Sequence, residues 1–474
     1  MSSLDTTEMA TQPTAAAGTH SCVIAPHLKD DLATSAIGKY GRMFPDLPCN
    51  ECDEALFALL ARAGAPMDLV DAPATDETPA QTAEALIPAG YPVFGQFIAH
   101  NITADRSMIQ HHANLGELRN FRTPSLNLES LYSAGPSGSP YLYDANDSDK
   151  FLLGVNDAGN PYDLPRNAQG VALLGDPRDD VHLLISQLHM VFLTFHNAIV
   201  DHLRAEGVPA SAIFSEAQRL TRWHYQWIVV HEFLPLLVGQ EVLAAALANR
   251  AYYHFDAQPF IPIEFSDAAY RTGHSQIRTR YHINDAVEGP VFPDLAGGRP
   301  VPQRNVIDWR NFFELDAARP PQQSKRIEPK LAHALIELPA FVVGAVAAPE
   351  YASLAYRDLQ RARSLDMPSG EAVARIMGIE PLSVAEVGLD ALGWNGDTPL
   401  WYYVLREAEI RFDGARMGPV GGRIVAEVLL GLLDGDPTSY RTVQPDWQPT
   451  LPAGQPGTFT IADLLRFAGA AGAR

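Results

Sequence analysis

Between Val181 and Leu203, apolar side chains recur at three- and four-residue intervals: Leu184, Leu188, Val191, Phe192, Phe195, Ile199 and Leu203. At 3.6 residues per turn these share one face, so the stretch should form a helix packed against other apolar surface. The same period predicts helices over 53–63, 93–103, 212–237, 239–249, 350–364, 369–378, 399–411, 422–433 and 461–469, while strand-type alternation is scarce. No Gly/Ser linker, repeat or charge block divides the chain after about residue 22. The expected fold is mainly α: one large α-helical domain over 23–474 with long irregular loops, behind a disordered tail over 1–22. The stretch from Thr103 to Asp180 has little periodicity and is too long for a plain connection. It should wrap a site or carry a contact between copies of the chain.

Charge and cysteine content remove several classes of function. The chain carries 35 basic and 56 acidic residues, a net charge of −21, which repels nucleic acid and anionic lipid. No apolar run reaches 18 residues, so no membrane span is expected. The start of the chain lacks the basic and apolar segments of a secretory signal, which points to the cytoplasm, with export by a non-classical route the other option. Three cysteines exclude a disulfide framework. Cys49 and Cys52 form a C-x-x-C, but there is no second pair and Cys22 alone completes no zinc site, so they read as an incidental reduced pair.

Few chemical motifs survive. Gly418-Pro419-Val420-Gly421-Gly422 lacks the Lys-Ser/Thr of a phosphate-binding loop and reads as a turn opening the next helix. His189 and His196 lie seven apart near the apolar stripe without a carboxylate one turn away, which suits core histidines better than zinc ligands. The informative segment is Phe94-Gly95-Gln96-Phe97-Ile98-Ala99-His100-Asn101, where Gln96 and His100 share one helix face. Taken alone, His100 reads as a buried histidine.

Four segments together resemble the peroxidase–cyclooxygenase superfamily, the animal-type haem peroxidases, and in particular its bacterial members. The distal motif W-G-Q-F-L-D-H-D is matched by Phe94 to Asn101. G-D-x-R and the helix after it are matched by Gly175-Asp176-Pro177-Arg178, then Leu188-His189-Met190 through His196-Asn197. The proximal F-R-Y-G-H appears as Tyr270-Arg271-Thr272-Gly273-His274, and L-N-x-Q-R-x-R as Arg357-Asp358-Leu359-Gln360-Arg361-Ala362-Arg363. The resemblance implies a haem peroxidase that reduces H₂O₂ and oxidises a small organic donor, or an easily oxidised halide or pseudohalide, in a response to oxidative stress. His100 would move the proton of H₂O₂, Gln96 would hold distal water, and Arg178 would stabilise charge on the departing oxygen. His274 would be the axial iron ligand, Asp358 its partner, and Arg271 a partner for a haem propionate. Arg178 could instead pair with Asp176 or Asp179, and Asp358 with Arg361 or Arg363.

Departures from the family pattern carry expectations of their own. Ala99 and Val181 stand where relatives carry the Asp and Glu that esterify the haem, so a non-covalent haem b is expected. The calcium loop reads Thr123-Pro124-Ser125-Leu126-Asn127-Leu128-Glu129, with Asn101 beside the distal histidine. Asn101, Thr123, Ser125, Asn127 and Glu129 offer one carboxylate, so calcium should bind weakly or not at all. Asp358 replaces the family's Asn and should lower the iron potential, favouring phenols over chloride. The rival functions are a fatty-acid dioxygenase of the cyclooxygenase branch and a non-catalytic haem-binding protein. Against the first, Arg271 sits where those enzymes carry a radical-forming tyrosine, with Tyr270 one position off, and Arg222-Trp223-His224-Tyr225 is out of order. The physiological reductant and the oligomeric state stay open.

Overall fold

A computed structural model describes residues 40–52, 54–69, 87–104, 120–344, 346 and 348–471; the expected tail and Cys22 lie outside them. Eleven principal helices carry the fold. They are α1 Glu54–Ala61, α2 Gly90–Ile102, α3 Leu183–Ala205, α4 Ile213–Ile228, α5 Leu234–Val238, α6 Gln240–Ala248, α7 Leu354–Ser364, α8 Gly370–Ile376, α9 Leu400–Phe412, α10 Pro419–Asp434 and α11 Ile461–Phe467. One hydrophobic core runs through all of them, from Tyr40 to Ala470. Strands among the described residues are confined to four two-stranded pairs.

The apolar stripe from Leu184 to Leu203 lies on α3, and every stripe residue is buried. Its first half, Leu183 to Leu193, is buried on all sides. By length and composition α3 is, among the described residues, the one helix that could cross a membrane, but 83% of its most apolar window is inside the fold. Burial as a core helix accounts for its composition.

α2 and α4 pack on either side of α3. Aromatic rings lock this trio: Phe97 stacks on Phe192 at 4.5 Å, and the Phe94 ring meets Tyr225 edge-on at 6.0 Å. Such pairs add roughly 0.5–1.5 kcal/mol each beyond their area. They fix the rotation of α2, and hence where His100 points.

One predicted helix, 212–237, is three pieces: α4, a π-helical turn Val229–Phe233, and α5. Pro235 is the reason, because it has no N–H to give the carbonyl four residues back. The turn opening α10 is as expected, with Gly418 at the cap and Pro419 in the first turn. Glu407 accepts the Val420 N–H there at 3.0 Å, and burial pushes its carboxyl up to about 7.

The long stretch after Thr103 contains single helical turns and a hairpin, Tyr143–Asp144 with Asp147–Phe151. Side chains replace ladders elsewhere in it. Asp163 accepts from the Leu164 and Val301 backbone and from Arg166, which also grips Asp180. At Gly175 a Cβ would fall 2.4 Å from the Ser130 carbonyl, so only glycine lets these segments pass. That close approach sets the entry to residues 176–180, which reach the cavity described next.

Candidate active site

α2 and the 3₁₀ turn Ala269–His274 face each other across a cavity of about 320 Å³. Gln96, Ala99, His100, Arg178, Val181, Arg271 and His274 all line it, so the separate sequence segments converge on one place. Most of the remaining wall is apolar, including Phe233, Phe265, Phe292, Leu335 and Leu338.

His274 Nδ1 is 2.6 Å from Asp358 Oδ2, and the other oxygen of Asp358 accepts from Arg271 at 3.0 Å. Asp358 is fully buried; burial alone would raise its carboxyl, but the charges of His274 and Arg271 hold it below the usual range. Arg361 pairs with Asp267 and Arg363 with Glu54, and the Arg361 charge also helps to hold Asp358 low. Arg271 also reaches Asp267 and the Ser266 carbonyl, each at 3.0 Å. Arg271 thus reaches the cavity with its guanidinium braced by two buried carboxylates.

His100 Nδ1 lies 2.6 Å from Asp179 Oδ1, and Asp179 Oδ2 lies 2.8 Å from His189 Nδ1. Asp179 is fully buried; burial raises its carboxyl, but the hydrogen bonds from the two imidazoles outweigh this and hold it low. With Nδ1 of both His100 and His274 engaged, Nε2 is the ring nitrogen left for the cavity. Asp179 was legible only as a possible partner for Arg178, and His189 only as a core histidine. The spacing carried no sign of this bridge, since His100 and Asp179 are 79 residues apart.

Arg178 lines the cavity but is pinned by Asp176, through Nε at 3.0 Å and Nη2 at 2.8 Å, and by the His100 carbonyl at 3.1 Å. Gln96 Oε1 meets His182 Nε2 at 2.9 Å, a cavity residue that sequence reading missed. His196, by contrast, is a core histidine bonded to the Asp149 carbonyl and the Tyr132 hydroxyl. His224 is likewise tied to backbone, at Leu220 and Leu451, away from the cavity. Cys49 and Cys52 are free thiols, the first exposed and the second buried.

The residues fit a haem. A single imidazole with its Nδ1 anchored faces an apolar slot, which is the donor arrangement an axial iron ligand needs. Around Gly273, beside that ligand, a Cβ would meet nothing within 4 Å. Calcium fits poorly. Asn101 turns its NH₂ toward Asn127 Oδ1 at 3.3 Å and its Oδ1 to the Leu128 N–H at 3.1 Å. Ser125 bonds Asp436, and Glu129 takes the Thr123 N–H at 3.1 Å with Arg122 at 3.5 Å from its other oxygen. The Asn101, Asn127 and Glu129 oxygens that a hard dication would use already accept from N–H donors. Among the described residues no group of three His, Cys, Asp or Glu side chains is arranged for a metal ion.

Residues 110–307 match the sequence profile of the family Animal haem peroxidase. Over that span the chain is similar to the animal haem peroxidases. Within it lie Arg178 and His274; outside it lie Gln96 and His100, which share the cavity with them, and Asp358, which bonds His274. Thyroid peroxidase of Canis lupus familiaris is 26% identical over 56% of this chain and 29% of its own length. Chorion peroxidase of Drosophila melanogaster is 32% identical over 23% of this chain and 14% of its own. The chain thus matches less than a third of the length of either relative. In fold it is similar to peroxidase A from Dictyostelium discoideum, with a TM-score of 0.65, 15% identity, and coverage of 93% of this chain and 95% of the other. Fatty acid alpha-dioxygenase of Oryza sativa has the same fold, with a TM-score of 0.58, 15% identity and coverage of 90% and 78%. The fold shared with these two structures therefore covers nearly the whole chain.

Proposed function

We propose that this chain is a haem peroxidase that reduces H₂O₂ and oxidises a small organic donor, phenolic in the first instance. One observation carries the reading: two histidines face a common cavity, each with Nδ1 held by a buried aspartate. Haem, when bound, supplies the redox chemistry. The chain's own residues supply proton management. His100 Nε2 would take a proton from one oxygen of H₂O₂ and return it to the other. Asp179 keeps His100 in the tautomer that allows this. Arg178, fixed by Asp176 and by the His100 and Thr103 carbonyls, adds positive charge at the wall without moving. Ala99 and Val181 line the cavity and have no carboxylate, which supports a non-covalent haem b, extractable by acid-butanone. The Asp358 acceptor supports a low iron potential and weak chloride oxidation.

The dioxygenase reading is weaker here. Arg271 occupies the place of the radical-forming tyrosine. Tyr270, one residue earlier, has a buried hydroxyl with no hydrogen-bond partner among the described residues, and burial pushes its pKa well up. A phenol without a proton acceptor is a poor one-electron donor. Haem-loaded protein should oxidise a phenol such as guaiacol in proportion to added H₂O₂ and take up no oxygen with linoleate or palmitate. Oxygen uptake with fatty acid, without peroxide turnover, would overturn the proposal.

A further inference from the structure

His182 sits at the N-terminal cap of α3, where its ring nitrogen Nδ1 accepts the Ile185 N–H at 3.3 Å. A backbone N–H can only donate, so this contact makes Nδ1 the unprotonated nitrogen. In a neutral imidazole the hydrogen is then on Nε2. Nε2 points at Gln96 at 2.9 Å, and a donor there requires the oxygen of the amide, not its nitrogen. The NH₂ of Gln96 is thereby turned away from His182 and toward the cavity that both residues line. The ring is buried and braced edge-on by Phe292 at 6.2 Å.

We propose that His182 is a positioning residue: it fixes the Gln96 amide so that the distal wall presents one donor, Gln96 Nε2–H, beside one acceptor, His100 Nε2. The pair is matched to a molecule that is both acid and base on adjacent atoms, as H₂O₂ is. This deepens the peroxidase reading and rests on it for the identity of the bound molecule. The orientation itself depends only on the helix cap. Burial drives the His182 pKa down to about 3, so the ring stays neutral and the arrangement keeps its polarity at ordinary pH.

The test uses fluoride binding to the ferric haem-loaded protein, because bound fluoride is held by distal donors and needs no peroxide chemistry. His182→Asn retains an oxygen to cap α3 but is too short to reach Gln96. It should weaken fluoride about three- to tenfold, as Gln96→Leu should, and the double variant should be no weaker than Gln96→Leu alone. In the wild-type chain without haem, ¹⁵N NMR should find His182 as the Nε2–H tautomer. Additive losses in the double variant, unchanged fluoride affinity in His182→Asn, or an Nδ1–H tautomer would each overturn the proposal. If the wild type binds fluoride this way yet does not react with H₂O₂, the peroxidase reading fails and the positioning role stands.

Discussion

The two walls of the cavity use the same device with different third members. On the distal side a buried aspartate, Asp179, holds His100, and on the proximal side a buried aspartate, Asp358, holds His274, both at 2.6 Å. Asp358 gives its second oxygen to Arg271, a permanent cation, whereas Asp179 gives its second oxygen to His189, an imidazole. A guanidinium compensates a buried carboxylate whether or not a proton is present. Two imidazoles compensate it only through N–H groups that must point the right way. The proximal wall is therefore built to hold charge constant around His274. The distal wall is built to hold a proton position.

The difference can be broken from either side. The largest effect is expected at the distal base: His100→Ala should slow the reaction of ferric protein with H₂O₂ by about 10²- to 10⁴-fold in rapid-mixing spectra. Asp179→Asn should slow it by about 10- to 100-fold without loss of haem, a typical cost of removing a partner that orients a histidine. The amide must turn its NH₂ toward one of two Nδ1–H groups, so His100 or His189 is driven to the other tautomer. Asp358→Asn should do the reverse, leaving the peroxide step within a few-fold while spectroelectrochemistry finds a more positive iron potential. If Asp358→Asn slows peroxide more than Asp179→Asn does, the division of labour is wrong.

The smallest expected effect concerns pH. Burial lowers His182 to about 3 and His196 and His224 to about 4, from an ordinary value near 6.5. A depressed histidine adds stability that is fully present above the unfolded pKa and is lost as pH falls toward the folded one. Thermal stability should fall between about pH 6.5 and 4, by on the order of 2 kcal/mol per histidine at pH 5. His182 is the distal member of this set, so His182→Asn should flatten part of that slope, read by scanning calorimetry. A slope unchanged in that variant would place the loss elsewhere.

The helical frame was legible because apolar period survives any tertiary context: α3 was expected over 181–203 and spans Leu183–Ala205, and α2 was expected over 93–103 and spans Gly90–Ile102. The site was legible where ordered motifs carried it, as at His100, Arg178, His274 and Asp358. What failed to show were partners set by long-range geometry. Asp179 follows Arg178 directly, yet its partner lies 79 residues away across α2, and nothing in local spacing encodes that. His182 was missed although a histidine just before an apolar stripe is a helix-cap signal worth testing. In the described part of the stretch from 103 to 180, residues 103–104 and 120–180, backbone groups bond side chains such as Asp163 and Asn156, which leave no repeat in the sequence.

The most direct test of the account is the absorption spectrum of the haem-loaded protein before and after one equivalent of H₂O₂, in the wild type and in His100→Ala. The ferric Soret band should shift rapidly in the wild type and at least a hundredfold more slowly in the variant. A Soret band inert to peroxide in both, or one that shifts equally fast in both, would contradict it.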